Sequence, residues 1–130
     1  MNKNSNIGFV GLGNMGKPIF DNLNKEFSNI FCFDKDKSKL KINKFSSSLN
    51  EIFEKCKIII FCIESNEQII DIIKENEIKK NTIIIDLTSS LPELTKQISS
   101  YLKIFESHYI DAGMSGGALG ASNGTLTLML

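Results

Sequence analysis

The stretch Ile7-Gly8-Phe9-Val10-Gly11-Leu12-Gly13-Asn14-Met15-Gly16 leaves a chain of this kind few folds to choose from. A short apolar run, expected to be a strand over Asn6 to Val10, enters a G-x-G-x-x-G turn. The residues that follow change period: Met15, Ile19, Leu23 and Phe27 fall on one helical stripe, with Pro18 near the first turn, where a missing N–H costs least. Each glycine has a separate task in such a strand–turn–helix. Gly11 makes the tight turn, Gly13 lets the backbone approach a diphosphate, and Gly16 lets the helix pack close to the strand. Unpaired N–H groups and the helix dipole favour negative charge at that point.

The rest of the chain repeats the alternation of apolar runs and helical patterns that a parallel sheet requires. Ile30-Phe31-Cys32-Phe33 reads as strand two, ending at Asp34. Residues 35–44 are lysine-rich and read as a solvated helix, with a weak strand near Phe45. Ser48…Glu51, Ser65…Gln68 and Ser90…Glu93 have capping-box spacing and mark three helix starts. Lys57–Ile63 and Thr82–Asp86 are continuous apolar runs that suit strands buried on both faces. Leu94, Ile98, Tyr101 and Leu102 form a helix stripe, Ile104–Asp111 reads as a sixth strand, Gly113–Gly124 as a glycine-rich loop, and Thr125–Leu130 as a final β-type run. The expected fold is α/β: a Rossmann-type, doubly wound, mostly parallel sheet with helices on both faces, forming one dinucleotide-binding domain over residues 1–130. The last apolar run ends without a turn or cap, so the chain is expected to be a fragment of a longer protein.

Composition removes several functions. The 15 basic residues balance 15 acidic ones, so no net field draws the chain to nucleic acid or an anionic membrane. Every basic residue is lysine, which removes the bidentate fork of arginine from phosphate recognition. Cys32, Cys56 and Cys62 have no zinc-ligand spacing and lie in or beside apolar runs; buried, reduced thiols are expected. No apolar run is long enough to span a bilayer, and the start lacks a signal layout, so a cytoplasmic protein is expected.

Two further groups carry candidate chemistry. Asp34 closes strand two about 20 residues after the glycine run, where a carboxylate accepts hydrogen bonds from adenosine ribose hydroxyls and repels a 2′-phosphate. NAD is therefore expected over NADP, with Lys35 the one neighbour that softens the choice. Ser115-Gly116-Gly117 offers successive backbone N–H groups and a hydroxyl as an anion-binding nest; a plain glycine-rich turn is the alternative. His108, the only histidine, reads as a surface or edge-strand residue, and Lys103 as a cation at a helix end.

Taken together, these segments resemble the β-hydroxyacid dehydrogenase family, which includes 3-hydroxyisobutyrate dehydrogenase and 6-phosphogluconate dehydrogenase. The opening Ile-Gly-Phe-Val-Gly-Leu-Gly-Asn-Met-Gly-Lys-Pro is similar to its cofactor signature. Residues 111–127 resemble its substrate signature, and Asp86-Leu87-Thr88-Ser89-Ser90-Leu91-Pro92 its Asp-Met-Ser-Thr-x-x-Pro segment. The resemblance implies an oxidoreductase that transfers a hydride between NAD and a small 3-hydroxyacid. It places Gly11, Leu12, Gly13, Asn14, Met15 and Gly16 around the pyrophosphate, Asp34 at the ribose, Cys62, Ile63 and Glu64 along the cofactor, and Thr88 near the nicotinamide. Ser115, Gly116 and Gly117 would meet the substrate. Gly113 stands where the family commonly has proline, which leaves the substrate subclass open. The family's catalytic lysine lies beyond the matching region, so this chain is expected to bind cofactor weakly without turnover.

Two other readings compete: a stand-alone nucleotide-binding or regulatory module, and a different Rossmann enzyme such as a pyrroline-carboxylate reductase-like protein, against which the Ser-Gly-Gly segment argues. A short-chain dehydrogenase is disfavoured because neither Tyr101 nor Tyr109 has a lysine four residues on. Self-association, with homo-oligomers the expected form, follows from an apolar strand left at the chain's end.

Overall fold

The computed structural model describes residues 2–40 and 47–130. Five parallel strands make the central sheet: β1 (Ile7–Val10), β2 (Ile30–Phe33), β3 (Ile58–Phe61), β4 (Ile83–Asp86) and β5 (His108–Asp111). Their spatial order is β2-β1-β3-β4-β5, so the direction of winding reverses between β1 and β3. Each strand side by side with its neighbour is in simple register, Ile7 against both Ile30 and Ile58, and Asp86 against Asp111.

Alternation of side chains across the sheet produces two cores. On one face Val10, Ile59, Phe61 and Ile84 pack with α2 (Leu49–Lys55), α3 (Asn66–Glu75) and α4 (Pro92–Lys103) through Ile52, Phe53, Ile69, Ile73, Ile98 and Leu102. On the other, Ile7, Phe9, Ile30, Cys32 and Ile60 pack against α1 (Gly16–Glu26) through Phe20. Helices on both faces of a parallel sheet give the doubly wound architecture expected from the alternation of runs. The most buried side chain of α1 is Phe20, which the stripe Ile19, Leu23, Phe27 flanks.

The segment after β5 is built as strand, helix and strand. β6 (Gly113–Ser115) and β7 (Thr127–Met129) pair antiparallel, and α5 (Gly117–Asn123) lies between them against α1. The loop expected over Gly113–Gly124 is thus mostly ordered secondary structure. Its physical basis is the ladder Ser115–Thr127 at one end and a side-chain anchor from α1 at the other. The strand expected over Ile104–Asp111, here β5, is also shorter than its composition suggests. Ile104 caps α4 and is 73% exposed, and the chain turns through Glu106 at φ 51° before β5 opens at His108.

Of the three serine caps, Ser48 acts as expected: its hydroxyl accepts from Glu51 N at 3.1 Å. Ser65 occupies the cap position without a side-chain bond, and Ser90 is displaced from it by Leu91. Ser90 instead donates to Asp86 and to the Thr88 carbonyl, because a buried carboxylate is the stronger acceptor. Within the described part of the lysine-rich stretch, residues 35–40, a 3₁₀ turn forms at Lys37–Leu40; the rest of the expected helix and the weak strand expected near Phe45 lie outside the described residues. Cys32 and Cys56 are buried free thiols, whereas Cys62 is only partly buried.

Candidate cofactor crevice

The sheet's reversal point opens on a crevice of about 900 Å³ beyond the C-terminal ends of β1 to β4. In open α/β sheets this is where ligands bind, since neighbouring crossovers leave the sheet on opposite faces there. The turn after β1 forms its floor. Gly11 takes φ +105°, and a Cβ there would lie 2.1 Å from the Cys62 carbonyl oxygen, so the chain passes against the end of β3 with no room for a side chain. A Cβ on Gly16 would lie 2.0 Å from the Gly11 carbonyl oxygen, which is how closely α1 starts beside the strand. Gly13 differs from both. A Cβ there would meet no atom within 4 Å, and the residue faces the crevice.

Asp34 holds this turn from the side. Its Oδ2 accepts from Leu12 N at 2.7 Å and its Oδ1 from Asp36 N at 2.8 Å. Each oxygen keeps a second lone pair, and the residue lines the crevice. Leu12 itself points into the core beside Phe9 and Phe20 and contributes only its backbone. Gly11, Gly13, Asn14, Met15, Gly16, Asp34, Cys62, Ile63, Glu64 and Thr88 all border the one crevice. Ser115, Gly116 and Gly117 do not: they are exposed beyond Met114, the one residue of that segment on the crevice wall. Gly116 (φ +127°) and Gly117 (φ +60°) turn the chain from β6 into α5.

Several wall residues escape a reading from sequence. Leu49 at the start of α2 and Gln68, Asp71 and Ile72 on α3 border the crevice on the side of Ile63. Gln68, Asp71 and Ile72 share one face at helical spacing directly after β3, and that spacing was the available signal. Leu49 gave none, because its place depends on how α2 packs. Lys35, Asp36 and Lys39 complete the rim near Asp34.

At the opposite end, Thr88 accepts from Ile63 N at 3.2 Å, which ties the loop after β4 to the loop after β3. Cys62 lies beside them, its thiol pushed up to about 11 by burial and then by the nearby Asp86 carboxylate, so it is a neutral thiol at ordinary pH. Among the described residues no group of three or more His, Cys, Asp or Glu has metal-holding geometry, and no helix is long and apolar enough to cross a membrane. His108 is exposed at the first position of the edge strand, and Lys103 ends α4.

A glycine turn without side-chain obstruction, a strand-closing carboxylate and a reversal point in a parallel sheet together define a dinucleotide-binding domain of the Rossmann type. The family model described as the NAD binding domain of 6-phosphogluconate dehydrogenase matches residues 6–130, and the chain belongs to this family, within the β-hydroxyacid dehydrogenases. It is 31% identical to 2-(hydroxymethyl)glutarate dehydrogenase of Eubacterium barkeri, a match covering 100% of this chain and 46% of that protein. It is 32% identical to the mitochondrial 3-hydroxyisobutyrate dehydrogenase of Drosophila melanogaster, over 96% of this chain and 41% of that one. The solved 3-hydroxyisobutyrate dehydrogenase of Mycobacterium tuberculosis, with L-serine, superposes with a TM-score of 0.89 at 22% identity, over 97% of this chain and 46% of that one. The chain therefore spans less than half the length of the relatives it matches.

Proposed function

We infer that this domain holds NAD for an oxidoreductase of the 3-hydroxyisobutyrate dehydrogenase kind, which moves a hydride between the nicotinamide and a small 3-hydroxyacid. Gly13 is the observation that carries the reading. Its Cβ position is empty space facing the crevice, so nothing in the protein itself requires glycine there, whereas a diphosphate lying against that backbone would. In this assignment the Gly11–Gly16 turn cradles the pyrophosphate, with Asn14 and Met15 at its sides, and Asp34 receives the adenosine ribose. Cys62, Ile63, Glu64 and Thr88 border the nicotinamide half. The bound cofactor supplies the hydride acceptor; the protein supplies position and exclusion of water.

Preference for NAD over NADP rests on charge. Asp34 is 9% exposed and already receives two backbone N–H groups, so it stays fixed where a 2′-phosphate would need to sit. Lys35 and Lys39 border the same end and are the cations such a phosphate would meet. Ser115, Gly116 and Gly117 are assigned to substrate, outside the crevice and next to Met114. The base that takes the hydroxyl proton belongs to the relatives' remaining length, and residues 1–130 alone are expected to bind nucleotide without turnover. Free, unpaired thiols suit a reducing cytosol. Leu119, Leu128, Met129 and Leu130 are exposed, and self-association through this surface is the expected oligomer.

Titrating NADH and NADPH into the purified 130-residue chain, with nicotinamide fluorescence as the signal, tests the assignment. Saturable binding of NADH, tighter than that of NADPH, is expected. Binding of neither would overturn the cofactor assignment. Oxidation of a 3-hydroxyacid at enzymatic rates by this chain would overturn the placing of the base elsewhere.

A further inference from the structure

Asp86 ends β4 with 0% of its surface exposed, and none of the side-chain ion pairs found among the described residues involves it. Hydrogen-bond donors hold it in place of a cation. Thr88 N donates to Oδ1 at 2.8 Å; Ser90 Oγ, at 3.2 Å, and the Tyr109 hydroxyl both donate to Oδ2. Tyr109 comes from the neighbouring strand β5, so the carboxylate joins two strands to the loop between Leu87 and Ser90. That loop reaches the crevice through Thr88, whose hydroxyl accepts from Ile63 N at 3.2 Å. The chain of contacts therefore runs from β5 through β4 to the end of β3, and only its last two members face the crevice.

The ring of Tyr109 packs against the core on the α4 face, a duty that phenylalanine would serve as well. Its hydroxyl is what the apolar packing does not explain. Burial, and then the bond to Asp86, hold the phenol well above its usual range, so it remains a donor wherever the domain is folded at ordinary pH. We propose that Tyr109 is a positioning residue for the nicotinamide half of the crevice: through Asp86 it fixes Thr88, and through Thr88 the backbone at Ile63. The inference rests on the dinucleotide reading above and adds to it a residue that touches no ligand.

The test separates the two halves of the crevice with two probes, ADP for the Asp34 half and NADH for the whole, on Tyr109→Phe and Ser90→Ala in the 130-residue chain. Tyr109→Phe is expected to weaken NADH about fivefold or more while ADP stays within about twofold, as loss of one charge-assisted hydrogen bond transmitted to one end would do. Ser90→Ala, which removes the longer bond, is expected to act in the same direction and less. Combining Tyr109→Phe with Thr88→Val should cost no more than the larger single change, because the two act along one set of contacts. Urea unfolding of each variant reports stability separately. A merely structural tyrosine would weaken ADP and NADH alike, in step with lost stability, and that result would overturn the inference; so would unchanged NADH affinity. If the unaltered chain binds neither probe, the dinucleotide reading falls and this inference with it, whereas normal ADP binding with no selective loss of NADH sinks the inference alone.

Discussion

The side-chain amide of Asn22, on α1, donates to the Ala121 carbonyl at 2.8 Å and to the Ser122 carbonyl at 3.3 Å, joining residues about a hundred positions apart. The helix it reaches, α5, spans seven residues, and such a length is not stable in water by itself. Its last carbonyls need partners, which Asn22 and the left-handed cap at Gly124 provide. Asn22→Ala should therefore raise amide exchange over residues 117–123 about tenfold, the equivalent of one lost hydrogen bond of about 1.4 kcal/mol. Exchange in β1, β3 and β4 should not change. Mass-resolved hydrogen exchange on the two proteins measures both.

The glycines of the first turn separate structure from binding. Gly11→Ala and Gly16→Ala each place a Cβ about 2 Å from a backbone oxygen, and Gly11 also has φ +105°. Neither neighbour is a flexible side chain, so each change should cost about 3 kcal/mol or more of stability. Gly13→Ala meets nothing within 4 Å and should leave stability within about 0.5 kcal/mol. Yet its new methyl group enters the space assigned to the diphosphate, and NADH affinity should fall about tenfold or more. Urea midpoints and NADH titrations on the three variants check the pattern. Gly13→Ala that binds normally would remove the main support for the cofactor assignment.

Asp34 holds the first turn and is the residue assigned to the ribose, so its variants should show both effects. Replacing it with alanine leaves the Leu12 and Asp36 N–H groups without their acceptor, at a cost of about 1–3 kcal/mol for the buried Leu12 donor and less for Asp36, whose N–H water can reach. Asp34→Ser keeps a short acceptor and removes the charge. It should raise the ratio of NADPH to NADH affinity about tenfold or more, because a like charge beside a 2′-phosphate is lost while Lys35 and Lys39 remain. Parallel titrations of the two nucleotides give the ratio.

What could be read from the sequence was local. β1 and β3 are apolar runs buried almost throughout, whereas β4 alternates half-buried Ile83 and Ile85 with buried Ile84 and Asp86; the first glycine turn has its period change written into it, so the sheet and the crevice floor were legible. Ser48 capped as read, its hydroxyl accepting from Glu51 N; Ser90 did not, because Asp86 claims it from within the fold. Ile104 and Phe105 have strand composition but follow a helix that runs to Lys103, and the turn that ends it occupies them. The helix at Gly117–Asn123 was hidden for the opposite reason. Its glycines and small polar residues have poor helix propensity, and the partner that holds it, Asn22, lies far away in sequence. The crevice walls at Leu49 and Asp71 likewise depend on packing that no local pattern records.

The thiols make the domain sensitive to alkali in a defined window. Burial is the main cause in each case: Cys32 and Cys62 are pushed up to about 11 and Cys56 to about 12, from an ordinary value of 9.0. Below pH 9 the three are protonated in the folded and the unfolded chain alike, and their contribution is fully present. Above it the unfolded chain releases protons that the folded chain retains, so unfolding gains and stability falls as pH rises toward 11. Tyr109, also held above its usual range, acts in the same direction. Urea midpoints should be level between pH 7 and pH 8.5 and then decline through pH 9, 10 and 10.5. A variant with Cys62→Ala and Cys32→Ala should decline less steeply, since two of the thiols that drive the difference are gone. The same raised values predict slow reaction of the native thiols with a disulfide reagent at pH 8, with Cys62 first because it alone is partly exposed, and slower still when NADH covers the crevice it borders. Rapid labelling of Cys32 or Cys56 in the folded protein, or a midpoint that rises between pH 9 and pH 10, would contradict the burial on which this window depends.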